Sequence, residues 1–181
     1  MKVLAALLLA ASVSVFAERS GQEDSVSYVW QYSGRIYGTL KIPPRYKRDE
    51  TEHYVEGFVT RIHYGDGSTI ILQKGGMYLV PMLQTPEYKL NKSDESADRR
   101  IRRGKIKVEG EELFWREDNF KGGQSPKSVP GGLIGIFPPN VAFDRVPKDR
   151  VALFEKALDS FVRIGGEKIE SFVHSERSGQ R

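Results

Sequence analysis

The stretch YVEGFVTRIHYGDGSTIILQKGGMYLVPML, residues 54–83, decides the fold that the sequence predicts. From Val55 to Ile62 the side chains alternate with a period of two, which is typical of a half-buried strand. The GDGS sequence at 65–68 predicts a reversal, because glycine tolerates positive φ and aspartate can bond its own backbone. Thr69 to Leu72 is β-branched and apolar, and Met77 to Met82 resumes the pattern after two glycines. The stretch therefore predicts a β-hairpin followed by a third strand.

The flanking sequence extends this pattern in both directions. Before the hairpin, β-branched and aromatic residues predict strands at 26–32 and 35–42. After it, 104–108 and 112–117 predict a second hairpin, and 132–137 predicts a short apolar strand. Polar composition predicts a connector or a loop in three further segments. These segments are 45–52, 84–97 and 118–131.

A single helix is predicted, from Lys148 to Arg163. Apolar residues that include Phe154 and Phe161 recur there at spacings of three and four, which gives one apolar stripe. Gly165 and Gly166 are expected to end the helix. Because the stripe must be buried against the sheet, the predicted fold class is α+β. We expect an antiparallel β-sheet of about six or seven strands, with this C-terminal helix packed on one face and the other face wet.

Residues 1–17 have the pattern of a secretory signal peptide. Met1-Lys2 gives a positive start, residues 3–16 are almost purely apolar, and Val15-x-Ala17 precedes a polar residue. The alternatives are a buried N-terminal helix and a membrane anchor, but a bilayer span takes about 20 apolar residues. The sequence therefore predicts export to the periplasm or the extracellular space. We expect one globular α+β domain at 18–181, with a loose N-terminal segment, a C-terminal tail and no transmembrane segment after signal removal.

The composition argues against several kinds of site. The chain of 181 residues has no cysteine, which excludes thiol catalysis and cysteine-ligated metals. Of its three histidines, His53 and His63 are predicted at opposite ends of one strand and His174 in the tail, so neither a metal nor a cofactor is predicted. The formal net charge of +4 is too small to indicate a polyanion partner by itself. Predicted export argues further against nucleic acid.

His63, Asp66 and Ser68 suggest a catalytic triad, but all three are predicted to lie in one turn. A working triad places the base between an orienting carboxylate and an exposed nucleophile beside an oxyanion hole. The sequence also has no G-x-S-x-G elbow, no H-E-x-x-H motif and no P-loop. We therefore interpret the three residues as turn chemistry and predict no catalytic residue.

Acidic residues cluster between Glu109 and Asp118. In a hairpin turn such a cluster is usually a solvated tip. The alternative is that Glu117 and Asp118, next to Trp115, line a sugar-binding cleft, because acid–base hydrolysis of a glycoside uses two carboxylates across the substrate. This alternative predicts a carboxylate-dependent hydrolase that acts on cell-wall or polysaccharide material.

The basic run DRRIRRGKIK at 98–107 is the most unusual local feature. One interpretation is attraction to an anionic lipid, a polysaccharide or an acidic protein partner. The other is a solvated loop and edge strand in which lysine and arginine prevent edge-to-edge pairing. Aromatic residues beside charges elsewhere in the chain match the composition favoured at protein interfaces. The predicted binding residues are Arg99, Arg100, Arg102, Arg103, Tyr37 and Arg116.

Three short motifs between Tyr54 and Phe161 occur in a characteristic order. They are DGS followed by an apolar strand and two glycines, Phe114-Trp115-Arg116-Glu117, and Val146-Pro147-Lys148 leading into LFEKALDSF. In this order the chain resembles small exported proteins of unknown function from Bacteroidetes-type bacteria. The motifs describe a turn, a strand and a helix start, and the resemblance supplies no catalytic residue.

Taken together, these features predict an exported, non-catalytic binding or interaction protein of the periplasm or cell surface. One version is an immunity-like or inhibitor-like protein that blocks a toxin or an enzyme. The expected partner is a protein or an anionic envelope component, at the sheet face that the helix leaves uncovered or on adjoining loops. The carboxylate-dependent hydrolase is the alternative, and the sequence leaves the oligomeric state open.

Overall fold

The computed structural model describes residues 25–54, 57–75, 87–121, 127–129, 132–134 and 139–168. The strands are β1 (Val26–Tyr32), β2 (Arg35–Ile42), β3 (Arg48–Tyr54), β4 (Gly57–His63), β5 (Thr69–Gly75), β6 (Tyr88–Glu95), β7 (Arg99–Val108), β8 (Glu111–Phe120), β9 (Lys127–Val129), β10 (Gly132–Ile134), β11 (Asn140–Val146) and β12 (Val162–Lys168). A 3₁₀ turn (Lys148–Arg150) leads into the helix α1 (Val151–Asp159).

Seven of these strands form one sheet in the order β3-β4-β5-β11-β8-β7-β6. A second sheet has the order β1-β2-β12, and β9 pairs with β10. Neighbouring strands are antiparallel throughout the described residues. Helix α1 contacts β8 and β11 of the large sheet and β2 of the small one. The predicted fold class is therefore confirmed.

The central hairpin forms as its sequence predicts. Ile62 on β4 pairs with Ile70 on β5, and the reversal runs through the GDGS sequence. Gly67 has a φ of 85°, a conformation that a side chain would disfavour. Asp66 Oδ1 accepts hydrogen bonds from the backbone N–H of Ser68 at 3.0 Å and from its hydroxyl at 2.6 Å. The third strand predicted at 77–82 lies outside the described residues.

Two segments predicted as a connector and a loop are strands instead. Most of 45–52 belongs to β3, and most of 84–97 belongs to β6. Both are edge strands of the large sheet, where charged side chains face water and still allow one ladder of backbone hydrogen bonds. The basic run therefore lies on β7, which is covered by β6 and is not an edge. Likewise, part of the loop predicted at 118–131 is strand, because β8 continues to Phe120 and β9 spans Lys127–Val129.

The helix is shorter than predicted. It ends at Asp159, where the backbone N–H of Ser160 caps the last carbonyls of the helix. The chain then extends as β12 and pairs with β2, so that Val162 lies opposite Thr39 and is 57% exposed. Gly165 and Gly166 lie in this strand and do not end the helix. Pairing with the free edge of β2 supplies backbone hydrogen bonds that helical periodicity does not anticipate.

The main core lies between the two sheets, with α1 packed into it. Its fully buried members include Trp30 and Leu40 from the small sheet, Phe143 from the large sheet and Phe154 from the helix. The predicted burial of Phe154 is confirmed, whereas Phe161 is only half-buried. We call the side of the large sheet that meets this core the helix face.

The opposite side of the large sheet, which we call the far face, is not simply wet at its centre. A second cluster of buried residues lies there and comprises Val59, Ile71, Trp115 and Ala142. Gly104 is required beside it, because a Cβ atom at this position would lie 2.6 Å from the Trp115 ring. The prediction of a wet second face is therefore wrong for the centre of the sheet.

Candidate functional site

The basic run does not form one continuous patch. Because side chains alternate along β7, Arg99 and Arg103 lie on the helix face, and Arg100 and Arg102 lie on the far face. Within the described part of the chain, Arg100 and Lys107 of this run make no ion pair. The other arginines of the run are matched to carboxylates on neighbouring elements.

On the helix face, Arg116 and Asp118 form the centre of an ion-pair network. Both side chains are fully buried, and the guanidinium donates two hydrogen bonds of 2.7 Å to the two carboxylate oxygens. Arg116 also donates to Glu155 and, at 2.7 Å, to Asp159, and both of these acceptors lie on α1. The network therefore ties the helix to the middle of the large sheet.

Two arginines of the basic run extend the same network. Arg99 lies 3.3 Å from Asp118, and Arg103 bonds Glu155 at 3.1 Å and Asp94 of the edge strand at 3.0 Å. These cations hold β6, β7, β8 and α1 together. These ion pairs give Arg99 and Arg103 of the basic run a structural role.

Tyr37, another predicted binding residue, lies at the edge of the main core. Its ring centroid is 5.8 Å from that of Trp30 and 5.0 Å from that of Phe58. The structure thus brings Arg99, Arg103 and Arg116 together in one network, and it places Tyr37, Arg100 and Arg102 elsewhere.

The two carboxylates of the hydrolase alternative are separated by the strand itself. Glu117 and Asp118 are consecutive on β8, so they project to opposite faces of the sheet. Glu117 lies opposite Ala142 of the far-face cluster, whereas Asp118 bonds Arg116 on the helix face. They cannot act from two sides of one substrate.

Glu117 belongs instead to a polar group on the far face. Its side chain is 1% exposed, and Oε1 accepts hydrogen bonds from Arg102 on β7 and from Asn119 on β8. The second oxygen, Oε2, is buried without a hydrogen-bond partner, as is Nε of Arg102. Buried polar atoms are nearly always hydrogen-bonded, and each one left without a partner costs about 1–3 kcal/mol.

A second polar group lies beside the first. The Tyr88 hydroxyl donates to Asp144 Oδ2 at 2.8 Å, and the Tyr88 ring meets the Trp115 ring edge-on, with centroids 6.1 Å apart. Trp115 Nε1 and Asp144 Oδ1 are buried without a partner. Burial raises the pKa of the Asp144 carboxyl, and burial beside Asp144 raises the pKa of Tyr88 to about 12.

The two groups form one cluster. Trp115 and Glu117 are two residues apart on one strand, which corresponds to roughly 7 Å. Asp144 is two residues beyond Ala142, the residue paired with Glu117. We call this set the far-face polar cluster, and its members are Arg102, Glu117, Asn119, Trp115, Asp144 and Tyr88. It presents two donors and two acceptors without partners within the described structure.

Only part of this cluster was predicted. Arg102 was a predicted binding residue, and Glu117 and Trp115 were named in the hydrolase alternative. Tyr88 and Asp144 were missed, because they are 56 residues apart in sequence and neither lies in a recognisable motif. The alternation of side chains along β8 was the available signal that Glu117 and Asp118 act separately.

The histidines and the GDGS turn have local roles. His63 bonds Glu50 at 2.9 Å through Nε2 and Thr69 at 3.3 Å through Nδ1, whereas the Ser68 hydroxyl donates to Asp66. The predicted turn interpretation fits this geometry. His53 and His63 lie on two neighbouring strands, β3 and β4, so placing them on one strand was wrong. Among the residues described here, no three metal-ligating side chains converge.

Comparisons with protein-family models, with curated proteins and with solved structures find no match to this chain. The resemblance to small exported bacterial proteins therefore stays a prediction from the sequence motifs. In the ranges that the structure describes, no helix has the length and apolar character needed to cross a membrane.

Proposed function

We propose that this chain is an exported binding protein of the periplasm or the cell surface that acts without catalysis. Its binding site is the far-face polar cluster, on the side of the large sheet that α1 does not cover. An immunity-like or inhibitor-like role, in which the bound partner is a toxin or an enzyme, is one form of this function.

The observation that carries the proposal is the set of buried polar atoms without partners. Four such atoms belong to Arg102, Glu117, Trp115 and Asp144, and all four side chains project from the same face of three neighbouring strands. Each atom would gain a hydrogen bond if a ligand supplied the matching group. Ligand sites commonly combine an apolar lining with a few convergent polar groups, and this cluster borders the buried residues Val59 and Ile71.

Two reactive side chains outside the far-face polar cluster are held by hydrogen bonds to neighbouring residues, and this supports binding without catalysis. Asp118 is held by Arg116 on the helix face, and Ser68 donates its hydroxyl to Asp66. The Asp66 carboxylate is itself paired with Arg150, which makes it a weak base for activating the Ser68 hydroxyl.

One observation favours a second candidate, the carboxylate-dependent hydrolase in a different arrangement. Glu117 and Asp144 project from the same face, unlike Glu117 and Asp118. Burial raises the pKa of Asp144, as a general acid requires, although Arg145 lies 3.6 Å away and opposes this shift, and Glu117 is paired with Arg102. A glycosidase uses one protonated and one ionised carboxyl group in this way.

Turnover assays separate the two functions. Wild-type protein is incubated with peptidoglycan and with envelope polysaccharide, and release of new reducing ends is measured. We expect the release of reducing ends to equal that of a blank without protein, because the proposed function is binding without cleavage of the ligand. Turnover that is lost in both Glu117→Gln and Asp144→Asn, but kept in the exposed control Glu111→Gln, would replace binding by hydrolysis.

Export is tested separately. We expect protein recovered from the envelope fraction to begin at or close to Glu18, because the Val15-x-Ala17 pattern precedes this residue. N-terminal sequencing of that fraction measures the start directly. Recovery of the protein in the cytosol with Met1 in place would contradict the proposed location.

A further inference from the structure

The hydrogen-bonding balance of the far-face polar cluster restricts what it can bind. Its atoms without partners are two donors, Arg102 Nε and Trp115 Nε1, and two acceptors, Glu117 Oε2 and Asp144 Oδ1. A ligand that satisfies all four must accept two hydrogen bonds and donate two. A hydroxyl group does both, so adjacent hydroxyl groups on one small molecule meet this requirement.

The charge of the cluster restricts the ligand further. Glu117 is paired with Arg102, and Asp144 lies 3.6 Å from the Arg145 guanidinium, so each carboxyl group of the cluster already has a cation beside it. An anion would place its charge beside two carboxyl groups. A cation would compete with Arg102 for Glu117. A neutral ligand avoids both costs of burying an unmatched charge.

The other arginines of the basic run do not change the preference of the cluster for a neutral ligand. Arg99 and Arg103 project to the helix face and are paired with Asp118, Glu155 and Asp94. Of the run's two arginines on the far face, Arg102 is paired with Glu117, and Arg100 is exposed and makes no ion pair among the described residues. The run therefore offers an anionic ligand one unpaired cation on this face, beside a cluster that already contains two carboxyl groups.

Access to the cluster is limited. The side chains of Arg102 and Asp144 are 24% and 14% exposed, and Tyr88 is half-buried. The four atoms without partners touch no solvent. A ligand can bond these atoms only after the outer side chains change conformation, so the association rate should be lower than for an open site.

From these observations we infer that the far-face polar cluster binds a neutral, hydroxyl-rich saccharide. The inference rests on the proposed binding function and narrows its ligand class. Hydroxyl groups bond the four atoms that lack partners, and Trp115 contributes through its indole N–H because its ring is buried. A protein partner at this cluster is the competing outcome.

Calorimetric titration of the full chain with four trimeric ligands tests the inference. The ligands are maltotriose and N,N′,N″-triacetylchitotriose, which are neutral, trigalacturonate, which is anionic, and triglycine amide, a peptide control. We expect at least one neutral saccharide to bind about tenfold more tightly than trigalacturonate or the peptide, a difference of about 1.4 kcal/mol. Failure of both neutral trimers to bind, or tighter binding of trigalacturonate or the peptide, overturns the inference.

Matched variants locate the binding. Trp115→Phe removes the indole N–H and keeps an aromatic ring, so it should weaken saccharide binding about two- to tenfold. Glu111→Gln makes the same charge change as Glu117→Gln at an exposed position and should leave affinity unchanged. Equal affinity of wild type, Trp115→Phe and Glu117→Gln, with each variant folded by circular dichroism, overturns the assignment to this cluster.

The outcomes also distinguish this inference from the function on which it rests. If the neutral trimers fail to bind but the protein retains an envelope partner that Glu117→Gln loses, the ligand class is wrong and the binding function stands. If a bound trimer is cleaved, the saccharide assignment stands and the absence of catalysis is wrong.

Discussion

Replacing Arg116 by methionine is expected to lower the free energy of unfolding by about 3–5 kcal/mol, because it leaves a buried carboxylate without its main partner. The Asp118 side chain is fully buried and receives two 2.7 Å hydrogen bonds from Arg116. The same guanidinium also holds Glu155 and Asp159 of α1. The variant thus removes the connection between helix and sheet together with the charge that compensates Asp118.

Urea denaturation followed by circular dichroism measures this change. Arg103→Met is the matched control, because Arg103 belongs to the same network and is 30% exposed. We expect it to cost less than half as much. The double variant Arg116→Met/Asp118→Leu should recover most of the loss, since a buried pair can often be exchanged for apolar residues without penalty. A single variant as stable as the wild type would show that the network does not hold the helix.

The parts of the fold that the sequence predicted are those decided by local chemistry. The β4/β5 hairpin follows from alternation on both sides of a turn whose residues can adopt it, and Gly67 indeed has positive φ. Phe154 follows from helical spacing, which places it on the buried stripe. In both cases the outcome is determined by residues that are close together in sequence.

The parts that were missed depend on residues distant in sequence. Nothing local in the charged segment 48–54 indicates a strand, and it becomes one because β4 offers it a free edge. Similarly, the helix could have continued past Asp159, but pairing of Val162 with β2 gives the chain a different set of hydrogen bonds. Local composition does not show which distant strand a segment will pair with.

The candidate site shows the same division. Glu117 and Asp118 attracted attention as neighbours, although strand alternation alone places them on opposite faces. Asp144 and Tyr88 join Trp115 and Glu117 only because β11, β8, β7 and β6 are consecutive in the sheet. The chain order of these strands gives no indication of that arrangement, so the cluster could be found only in the folded protein.

Replacing Phe154 by alanine is expected to cost about 3–5 kcal/mol, as large-to-small changes in a packed core do. The ring is fully buried, with centroids 5.0 Å from that of Tyr64 and 5.8 Å from that of Phe143. Neither neighbour can fill the space without leaving its own contacts, so a cavity remains. For a domain of this size, the midpoint of thermal unfolding should fall by roughly 6–20 °C.

Thermal unfolding followed by circular dichroism checks this value against two controls on the same segment. Phe161→Ala removes a half-buried ring and should cost less, and Val162→Ala changes a residue that is 57% exposed and should stay within about 0.5 kcal/mol of wild type. Phe154 and Arg116 both dock α1, so their losses should not add when the variants are combined. Two results would show that the helix is not packed as a single unit against the sheet. One is an unfolding midpoint of Phe154→Ala equal to that of Val162→Ala. The other is a loss of unfolding free energy in Phe154→Ala that adds fully to the loss in Arg116→Met.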